Sequence, residues 1–384
     1  MKIAYVGPFG FHPNKTMRIR ALGLARALVA QGHTVRLFMP PWQTPAEANK
    51  TWIEDGVEIR YTPLQGGMPG ITRTLIREVR AWQPDVIHTF KPKAYAGLVA
   101  WWGWYLGHVP LITDSDDWEG WGGWNEIAPY SQAQKYFFAW QERWGMTHHH
   151  GLTVASRALE TIAWSMGVPP EKVLYLPNGS TLSNDISAAA ARRASLNLTH
   201  HPTILLYSRL FEFDTGHLVN ILHKVHQQIP DLRILAVGAG LYAQDTATFR
   251  QQLTSAGLQD RVIDTGWLTE AELPPVLACG DVGLYLMADT LLNRTKCPVK
   301  LADMLRVGLP VVGEAVGQVE EYIRPGETGY LVASGDADGL AARVISLLRD
   351  ESLRQRFAAA ARHHLNTHFD WPTLADKLLP FYQH

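Results

Sequence analysis

Short apolar runs alternate with segments of helical periodicity along the whole chain. The first run, Lys2–Val6, is apolar almost throughout, which is typical of a parallel strand covered on both faces. Apolar residues then recur at helical spacing from Thr16 to Gln31, and Gly32 stands at the expected C-cap. Further strands are predicted at Thr34–Met39, Val86–Thr89 and Gly151–Ala155. The alternation indicates an α/β fold with a parallel sheet.

The same alternation begins again in the second half of the chain. Between residues 174 and 183 the composition shifts to Pro, Asn, Gly and Ser, and a new strand is predicted at Thr203–Ser208. The last helical stretches are predicted over 337–364 and 371–382. A chain of 384 residues also exceeds what one hydrophobic core usually supports. We therefore predict two domains, the first comprising residues 1–178 and a returning helix in 369–384, and the second comprising residues 179–368.

Composition and charge narrow the class of protein. The formal net charge of −1 argues against a nucleic-acid partner, which would need many cations to neutralise phosphates. The two cysteines, Cys279 and Cys297, exclude a disulfide framework, and the first residues lack the apolar core of a signal peptide, so we expect a cytoplasmic protein. Residues 94–112 carry no charge, but Pro110 and the internal glycines favour a buried helix over 94–106 followed by a strand over 109–113, and disfavour a membrane span.

Candidate ligand-binding residues follow the strands of the second half, because ligands bind beyond the carboxyl ends of parallel strands. A helix is predicted to begin near Lys300, and its N-terminus with Lys296 and Lys300 is a plausible diphosphate site. Asp303 lies one turn further, where a carboxylate can accept hydrogen bonds from ribose hydroxyls. Arg209 follows another strand and suits phosphate recognition. The other candidates in loops after strands are Gly238, Gly240, Trp267 and Leu268.

An acidic and aromatic segment, residues 114–125, follows a strand of the first half. It contains Asp116, Asp117, Trp118 and Glu119, and the segment as a whole could bind a sugar ring, form a structural tryptophan cluster, or hold Mg²⁺. Lys91 and Lys93 flank Pro92 after another strand and could bind an anionic acceptor or be ordinary surface lysines. We interpret His148-His149-His150 as a junction between a helix and a strand, since consecutive residues do not converge on one metal ion.

Several motifs in order give the whole chain a resemblance to the family-four retaining glycosyltransferases of the GT-B fold, also called group 1 glycosyltransferases. They include residues 26–35, Asp85-Val86-Ile87-His88, Leu176-Pro177-Asn178-Gly179, Ser208-Arg209-Leu210, Lys300–Val312 and Glu321-Tyr322-Ile323. The resemblance implies two Rossmann-like domains, with the nucleotide sugar on the second and the acceptor on the first. It also implies that no metal or other cofactor is required and that the leaving phosphate takes the acceptor proton.

The resemblance further assigns roles to residues. Arg209 would bind the diphosphate, Asp303 the ribose, and the loop at Gly10 would approach the phosphates from the first domain. The remaining donor candidates are Thr295, Lys296, Cys297 and Val299, and the acceptor candidates are His88, Lys91, Lys93, Asp117, Trp118 and Glu119.

Three positions depart from the family pattern. Asp214 stands where the family has a lysine, Thr295 replaces the first acid of its acidic pair, and Asp116 stands in place of its histidine. We expect Lys300 to supply the missing cation, so that Asp116, Arg209 and Lys300 are the predicted catalytic residues.

The predicted reaction moves a hexosyl group from a UDP- or GDP-sugar to an acceptor hydroxyl with retention of configuration. The acceptor class is left as a carbohydrate, a glycolipid or a small molecule, and contact with the inner face of a membrane is a further option. Two alternatives stay open: a GT-B protein that binds carbohydrate or nucleotide without turnover, and a nucleotide-sugar epimerase.

Overall fold

The computed structural model describes residues 1–13 and 15–383, and this part of the chain forms two compact units. The first unit contains Met1–Gly179, Arg294–Cys297 and the chain from Asp370 onward, and the second contains Ser180–Asn293 and Pro298–Phe369. The segment Arg294–Cys297 was assigned to the second domain from the sequence, but the structure places it in the first unit. Thr295, Lys296 and Cys297 therefore belong to the first unit and not to the predicted second domain.

The first unit contains an eight-stranded sheet in the described residues. Its strands are β1 (Lys2–Val6), β2 (Thr34–Met39), β3 (Thr51–Glu54), β4 (Val57–Tyr61), β5 (Val86–Phe90), β6 (Leu111–Ser115), β7 (Gly151–Val154) and β8 (Val173–Tyr175). The spatial order is β3-β4-β2-β1-β5-β6-β7-β8, and every neighbouring pair is parallel except β3 and β4. That antiparallel pair, which we did not predict, is joined by Asp55 and Gly56, both with positive φ, as a tight hairpin turn requires.

The second unit contains a six-stranded, fully parallel sheet within the described residues. Its strands are β9 (Thr203–Leu206), β10 (Arg233–Ala236), β11 (Val262–Asp264), β12 (Val282–Tyr285), β13 (Val311–Glu314) and β14 (Gly329–Val332). The order β11-β10-β9-β12-β13-β14 is that of a doubly wound sheet, whose ligand crevice lies beyond the carboxyl ends of the strands.

The helices lie mostly between successive strands, and the last three follow the last strand, β14. In chain order they are α1 (Leu22–Ala30), α2 (Gly67–Trp82), α3 (Ala94–Leu106), α4 (Trp124–Ile127), α5 (Gln132–Gly145), α6 (Arg157–Ser165), α7 (Ala189–Ser195), α8 (Thr215–Gln228), α9 (Ala243–Ser255), α10 (Leu273–Leu277), α11 (Leu291–Thr295), α12 (Val299–Arg306), α13 (Val319–Tyr322), α14 (Ala337–Arg349), α15 (Glu351–His368) and α16 (Trp371–Phe381). A π-helical turn, Met17–Ala21, precedes α1.

Both faces of the first sheet are covered, as the apolar strand patterns predict. Ile3 and Tyr5 of β1 enter the core shared with α1 and α16, whereas Ala4 and Val6 enter the core shared with α2 and α3. Where α1 meets α16, a Cβ on Gly23 would lie 2.6 Å from the Trp371 indole, so this helix pair requires a glycine.

The predicted helix 94–106 is confirmed, and no helix in the described chain is long and apolar enough to cross a membrane. The predicted helical stretch 337–364 is instead two helices. Asp350 ends α14 and caps α15 by accepting a hydrogen bond from the Leu353 amide at 2.8 Å.

Candidate functional site

In the second unit, side chains from two loops after strands meet around Lys300 at the start of α12. The Lys300 ammonium lies 4.3 Å from the ring centroid of Tyr207, which follows β9, and 5.8 Å from that of Trp267, which follows β11. Cation–π attraction of this kind holds the ammonium over the two aromatic faces. The Trp267 side chain is 64% exposed, so part of the indole is open to a ligand.

Asp303 is buried one turn after Lys300. Its Oδ1 accepts a hydrogen bond from Ser180 Oγ at 2.7 Å, and the Tyr207 hydroxyl is a second hydrogen-bonding partner. Burial raises the pKa of the Asp303 carboxyl to about 7, although the Ser180 bond and the Lys300 charge act in the opposite direction. The group can therefore change protonation near neutral pH, and hydroxyl donors from a ligand would favour its ionised form. Ser180 and Tyr207 were not among the predicted residues.

The loop after β10 requires glycine at both predicted positions. Gly238 has a φ of +51°, and a Cβ there would contact the Trp267 indole at 3.5 Å. Gly240 has a φ of +83°, and a Cβ there would overlap Thr246 Oγ1. The backbone of this loop thus packs directly beside Trp267, while Leu268 is half-buried behind it.

Arg209 lies two residues after Tyr207 and is half-buried. Burial raises the pKa of the Tyr207 hydroxyl, and the nearby Arg209 charge acts against that rise. The second unit therefore brings Arg209, Tyr207, Lys300 and Asp303 into one neighbourhood. Val299, the first residue of α12, is half-buried at its edge.

Asp214, which stands where the family has a lysine, has a structural role. Its side chain caps α8 by accepting a hydrogen bond from the Gly216 amide at 2.8 Å. An N-cap prefers an acid or a small polar residue, which accounts for the departure from a lysine.

In the first unit, the acidic loop is organised around Lys91. The Lys91 Nζ lies 2.8 Å from Asp116 Oδ1, 3.3 Å from Asp117 Oδ2 and 2.9 Å from Glu119 Oε1. Lys91 itself has a φ of +56°, an uncommon backbone conformation for a residue with a side chain, and its side chain is buried among the three acids. The carboxylates are thereby held close to one another.

The second lysine completes this ionic cluster. Lys93 Nζ lies 2.6 Å from Glu119 Oε2 and donates a hydrogen bond to the Tyr130 hydroxyl at 2.9 Å. Although burial opposes ionisation, Lys91 and Lys93 hold the pKa of Glu119 down at about 2. Because both lysines are neutralised by acids, the prediction that they bind an anionic acceptor is not supported. They position the carboxylates instead.

Asp117 is the member of the cluster that remains partly exposed. Burial raises the pKa of its carboxyl, the Lys91 charge opposes that rise, and the adjacent Asp116 reinforces it. The neighbouring Glu142 is fully buried, and burial followed by the charge of Glu119 raises its pKa well above the ordinary range. The cluster therefore leaves one partly exposed carboxylate, Asp117, with the buried Asp116 beside it and the buried cation of Lys91 in contact with both.

Trp118 packs as a structural residue. It lies against the cluster formed by Met146, Leu152, Val154, Leu159, Ala163 and Val168, and its indole N–H donates to the Trp121 carbonyl at 2.7 Å. A Cβ on Gly120 or Gly123 would lie within 2.6 Å of this indole, which accounts for the glycines between the tryptophans. Trp118 is therefore held by packing within the first unit, and its contact with an acceptor stays a prediction.

His88 is fully buried, contrary to its predicted contact with an acceptor. Its Nδ1 lies 2.7 Å from the Tyr382 hydroxyl, and its Nε2 lies 3.1 Å from Thr153 Oγ1. The Tyr382 hydroxyl in turn lies 3.0 Å from that of Tyr5. With both ring nitrogens occupied and burial lowering its pKa well below the usual value, His88 is a neutral structural residue.

A buried ion pair continues this network and was missed from the sequence. Arg20 donates to Asp114 through Nε at 2.8 Å and Nη2 at 2.6 Å, and its Nη1 donates to Asn178 Oδ1 at 3.0 Å. Asp114 also accepts a 2.6 Å hydrogen bond from Thr153 Oγ1. The π-helical turn before α1 carries Arg20 to this position, and periodicity does not distinguish such a turn from an ordinary helix.

Hydrogen bonds from Asn178 and Ser156 attach the segment Arg294–Cys297 to the first unit. The Asn178 side chain donates to the Cys297 carbonyl at 3.0 Å, and Ser156 Oγ donates to the Thr295 carbonyl at 2.7 Å. The Lys296 ammonium lies 5.1 Å from the centroid of the Trp124 ring. Its positive charge also acts to lower the pKa of the Asp117 carboxyl.

Gly10 is also explained within the first unit. A Cβ on Gly10 would lie 2.9 Å from the Tyr61 hydroxyl, which accepts a hydrogen bond from the Phe11 amide at 2.8 Å. The glycine therefore allows the loop after β1 to pack closely on Tyr61.

Comparison with known proteins agrees with this architecture. Residues 16–179 match the model of the glycosyl transferase 4-like domain, and residues 201–350 match that of the glycosyl transferases group 1. The chain is 23% identical over 397 aligned positions to a phosphatidyl-myo-inositol mannosyltransferase of Mycobacterium leprae, covering 100% of this chain and 96% of the relative. It is also 26% identical to a glycogen synthase of Mycobacterium tuberculosis, and the alignment covers 77% of this chain and 68% of the relative.

Solved structures show the same fold. The structure of Anabaena HepE in complex with UDP and glucose matches with a TM-score of 0.74 at 19% identity, covering 99% of this chain and 98% of the other. A sucrose-phosphate synthase from Thermosynechococcus elongatus matches with a TM-score of 0.75 at 20% identity, and the match covers 100% of this chain and 98% of the other. The two matching models together span most of the chain, and the chain belongs to the group 1 glycosyltransferases of the GT-B fold.

Proposed function

We propose that this glycosyltransferase moves a hexosyl group from a UDP- or GDP-sugar to an acceptor hydroxyl, with retention of configuration and without a metal ion. The observation that carries the proposal is the grouping of Lys300, Arg209 and Asp303 beyond the strands of the second unit. Two cations suit a diphosphate, and a buried carboxylate suits the paired hydroxyls of a ribose.

The proposed chemistry is mainly electrostatic. As the bond between sugar and diphosphate breaks, negative charge develops on the leaving phosphate, and Lys300 and Arg209 stabilise it. Tyr207 and Trp267 fix the Lys300 ammonium before the reaction, so little reorganisation is needed. Removing one such preorganised group typically slows turnover by two to three orders of magnitude.

In the first unit we propose that Asp116 holds a hydroxyl of the donor sugar or of the acceptor. Its position is held by the ion pair with Lys91, and Asp117 beside it is partly exposed. Carboxylates oriented in this way accept hydrogen bonds from hydroxyls, which agrees with a carbohydrate or glycolipid acceptor better than with an anionic one.

The acceptor class is proposed from the relatives. The phosphatidyl-myo-inositol mannosyltransferase relative is named for a lipid acceptor, and the similarity covers the whole chain. We therefore propose a glycolipid or lipid-linked hydroxyl as acceptor, and peripheral contact with a membrane at the cytoplasmic side.

Calorimetric titration tests the donor site first. UDP, GDP and ADP are titrated into the protein, and the nucleotide that binds should stabilise the fold by about 2.7 kcal/mol at a hundredfold excess over its dissociation constant. Lys300→Ala should weaken this binding, whereas Lys224→Ala, which removes a surface lysine of the same unit, should not. No heat or stabilisation with any nucleotide would contradict the proposal.

Turnover is tested separately from binding. The matching nucleotide sugars are incubated with and without EDTA, products are identified by mass spectrometry, and the anomeric configuration is read by NMR. Loss of turnover in EDTA would contradict metal independence.

The Asp214 cap, which replaces a cation of the family pattern, favours one competing function: a donor-binding protein without turnover. Nucleotide binding with neither transfer nor donor hydrolysis would establish that alternative.

A further inference from the structure

Two neighbouring helices of the first unit expose a row of aromatic side chains. On α3, Trp101, Tyr105 and Leu106 are 43%, 55% and 62% exposed. On α5, Tyr136 and Trp140 are 67% and 48% exposed. Large apolar side chains exposed singly are common, but a contiguous group of them marks a binding surface.

Ring contacts show that the group is continuous. The ring centroids of Trp101 and Tyr105 are 5.3 Å apart, those of Tyr105 and Trp144 are 6.1 Å apart, and those of Trp144 and Trp140 are 6.2 Å apart. Phe137 extends the row, with its centroid 5.9 Å from that of Trp140. The row therefore passes from α3 to α5 without interruption. We call Trp101, Tyr105, Leu106, Tyr136, Phe137, Trp140 and Trp144 the aromatic patch.

Arginines flank the aromatic patch on both sides. Arg73, Arg77 and Arg80 lie on the exposed face of α2, which packs beside α3, and the Arg80 guanidinium is 5.9 Å from the Trp102 ring. Arg143 is exposed on α5, one turn after Trp140. Among the described residues, no carboxylate lies within ion-pair distance of these four arginines.

Acids are directed away from this surface. Glu78 on α2 pairs with Arg60 at 2.6 Å, and Glu142 on α5 is buried and accepts a hydrogen bond from Ser115 Oγ at 3.1 Å. α3 carries no acid. The exposed face of the three helices therefore combines aromatic rings with positive charge alone.

We infer that the aromatic patch and its flanking arginines dock the first unit onto an anionic lipid surface. Tryptophan and tyrosine suit the headgroup region because one end of each ring is apolar and the other is polar. Arginines without local acids are attracted to anionic headgroups, whereas a protein partner would have to supply matching carboxylates at each of them. The inference deepens the proposed membrane contact and rests on it, but it does not depend on the identity of donor or acceptor.

Vesicle flotation tests the inference with the full chain. The vesicles are phosphatidylcholine alone, and phosphatidylcholine mixed with phosphatidylglycerol in equal amounts. The wild-type protein should float with the mixed vesicles, bind the neutral ones more weakly, and be released by salt. Trp101→Ala/Trp140→Ala should lower the partition coefficient by about tenfold or more. Arg77→Gln/Arg143→Gln should lower it by about twenty-five-fold, since each cation near the surface contributes about fivefold.

A matched control uses another exposed tryptophan of the same unit. Trp164 on α6 is 42% exposed and lies outside the aromatic patch, so Trp164→Ala should bind vesicles like wild type. Nucleotide titration of every variant shows whether the fold and donor site are retained. Nucleotide binding without vesicle binding would overturn this inference and leave the donor site intact, whereas the reverse would refute only the donor site.

Two further results would also overturn it. One is equal loss of binding in Trp164→Ala and in the patch variants. The other is a wild-type dimer that the patch variants convert to monomer with no binding to either vesicle, since the patch would then join two copies of the chain.

Discussion

The raised pKa of Asp303 makes the stability of the second unit depend on pH in a defined direction. The folded-state pKa is about 7, against an ordinary aspartate value of about 3.9 in the unfolded chain. Below about pH 4 the Asp303 carboxyl is protonated in both the folded and the unfolded state, and the stability that its raised pKa makes dependent on pH is fully present. As the pH rises towards 7 the unfolded chain releases its proton first, so the contribution is lost.

The size of the effect follows from the two pKa values. A difference of about three pH units corresponds to about 4 kcal/mol over the whole range, and more than half of this, roughly 2–3 kcal/mol, lies between about pH 5 and about pH 8. Asp303→Asn keeps the side-chain volume and removes the titration. The stability difference between wild type and variant should therefore change by roughly 2–3 kcal/mol between these two pH values.

Urea unfolding of both proteins at the two pH values measures this difference, and groups that titrate in both proteins cancel. Asp338→Asn provides the control, because Asp338 is an exposed carboxylate of the same unit. Parallel pH dependence of wild type and Asp303→Asn would refute the reasoning, since Asp303 would then be ionised throughout. Nucleotide binding should also weaken in Asp303→Asn if the ionised carboxylate accepts ribose hydroxyls.

Three further predictions concern individual side chains. Lys300→Ala should lower turnover by roughly two orders of magnitude in steady-state kinetics, while Lys224→Ala leaves it unchanged; equal rates would show that Arg209 and backbone donors suffice. Asp116→Asn should lower kcat with little change in nucleotide affinity measured by calorimetry, because the donor nucleotide is proposed for the other unit; near-normal kcat would remove Asp116 from the mechanism. Arg20→Met should destabilise the protein by roughly 3–5 kcal/mol in urea unfolding, because it leaves Asp114 buried without its cation, and Arg20→Met/Asp114→Asn should be less destabilised; equal stabilities would contradict a paired, buried site.

Periodicity predicted much of the fold because most strands are buried on both faces and most helices bury one face. The strands 2–6 and 34–39 and the helix 94–106 were predicted with the bounds that the structure has. The hairpin of β3 and β4 was missed because its strands are short and lie at the edge of the sheet. The break at Asp350 was missed because the segments on both sides have helical periodicity and no Gly or Pro stands between them.

The candidate site was less predictable, because its geometry depends on contacts between residues far apart in the chain. Arg20 and Asp114 are 94 positions apart, and nothing local to either indicates the other. The sequence left Lys91 and Lys93 as ligands of an anionic acceptor or as surface lysines, whereas carboxylates 25 to 28 positions further along neutralise them. The placement of Thr295–Cys297 with the first unit likewise depends on Ser156 and Asn178.

The use of α16 to close the core of the first unit has a consequence for synthesis of the chain. Residues 180–369, which apart from Arg294–Cys297 form the second unit, emerge from the ribosome between Gly179 and α16, which takes about 10–40 seconds at ordinary translation rates. During this interval the second unit can complete its own sheet. Leu24 and Leu28 of α1 remain exposed meanwhile, because Leu374 and Leu378 of α16, which share their core, have not yet been synthesised. The nascent first unit is therefore open to chaperones, and a ribosome that stops before Trp371 releases a protein with an exposed apolar groove.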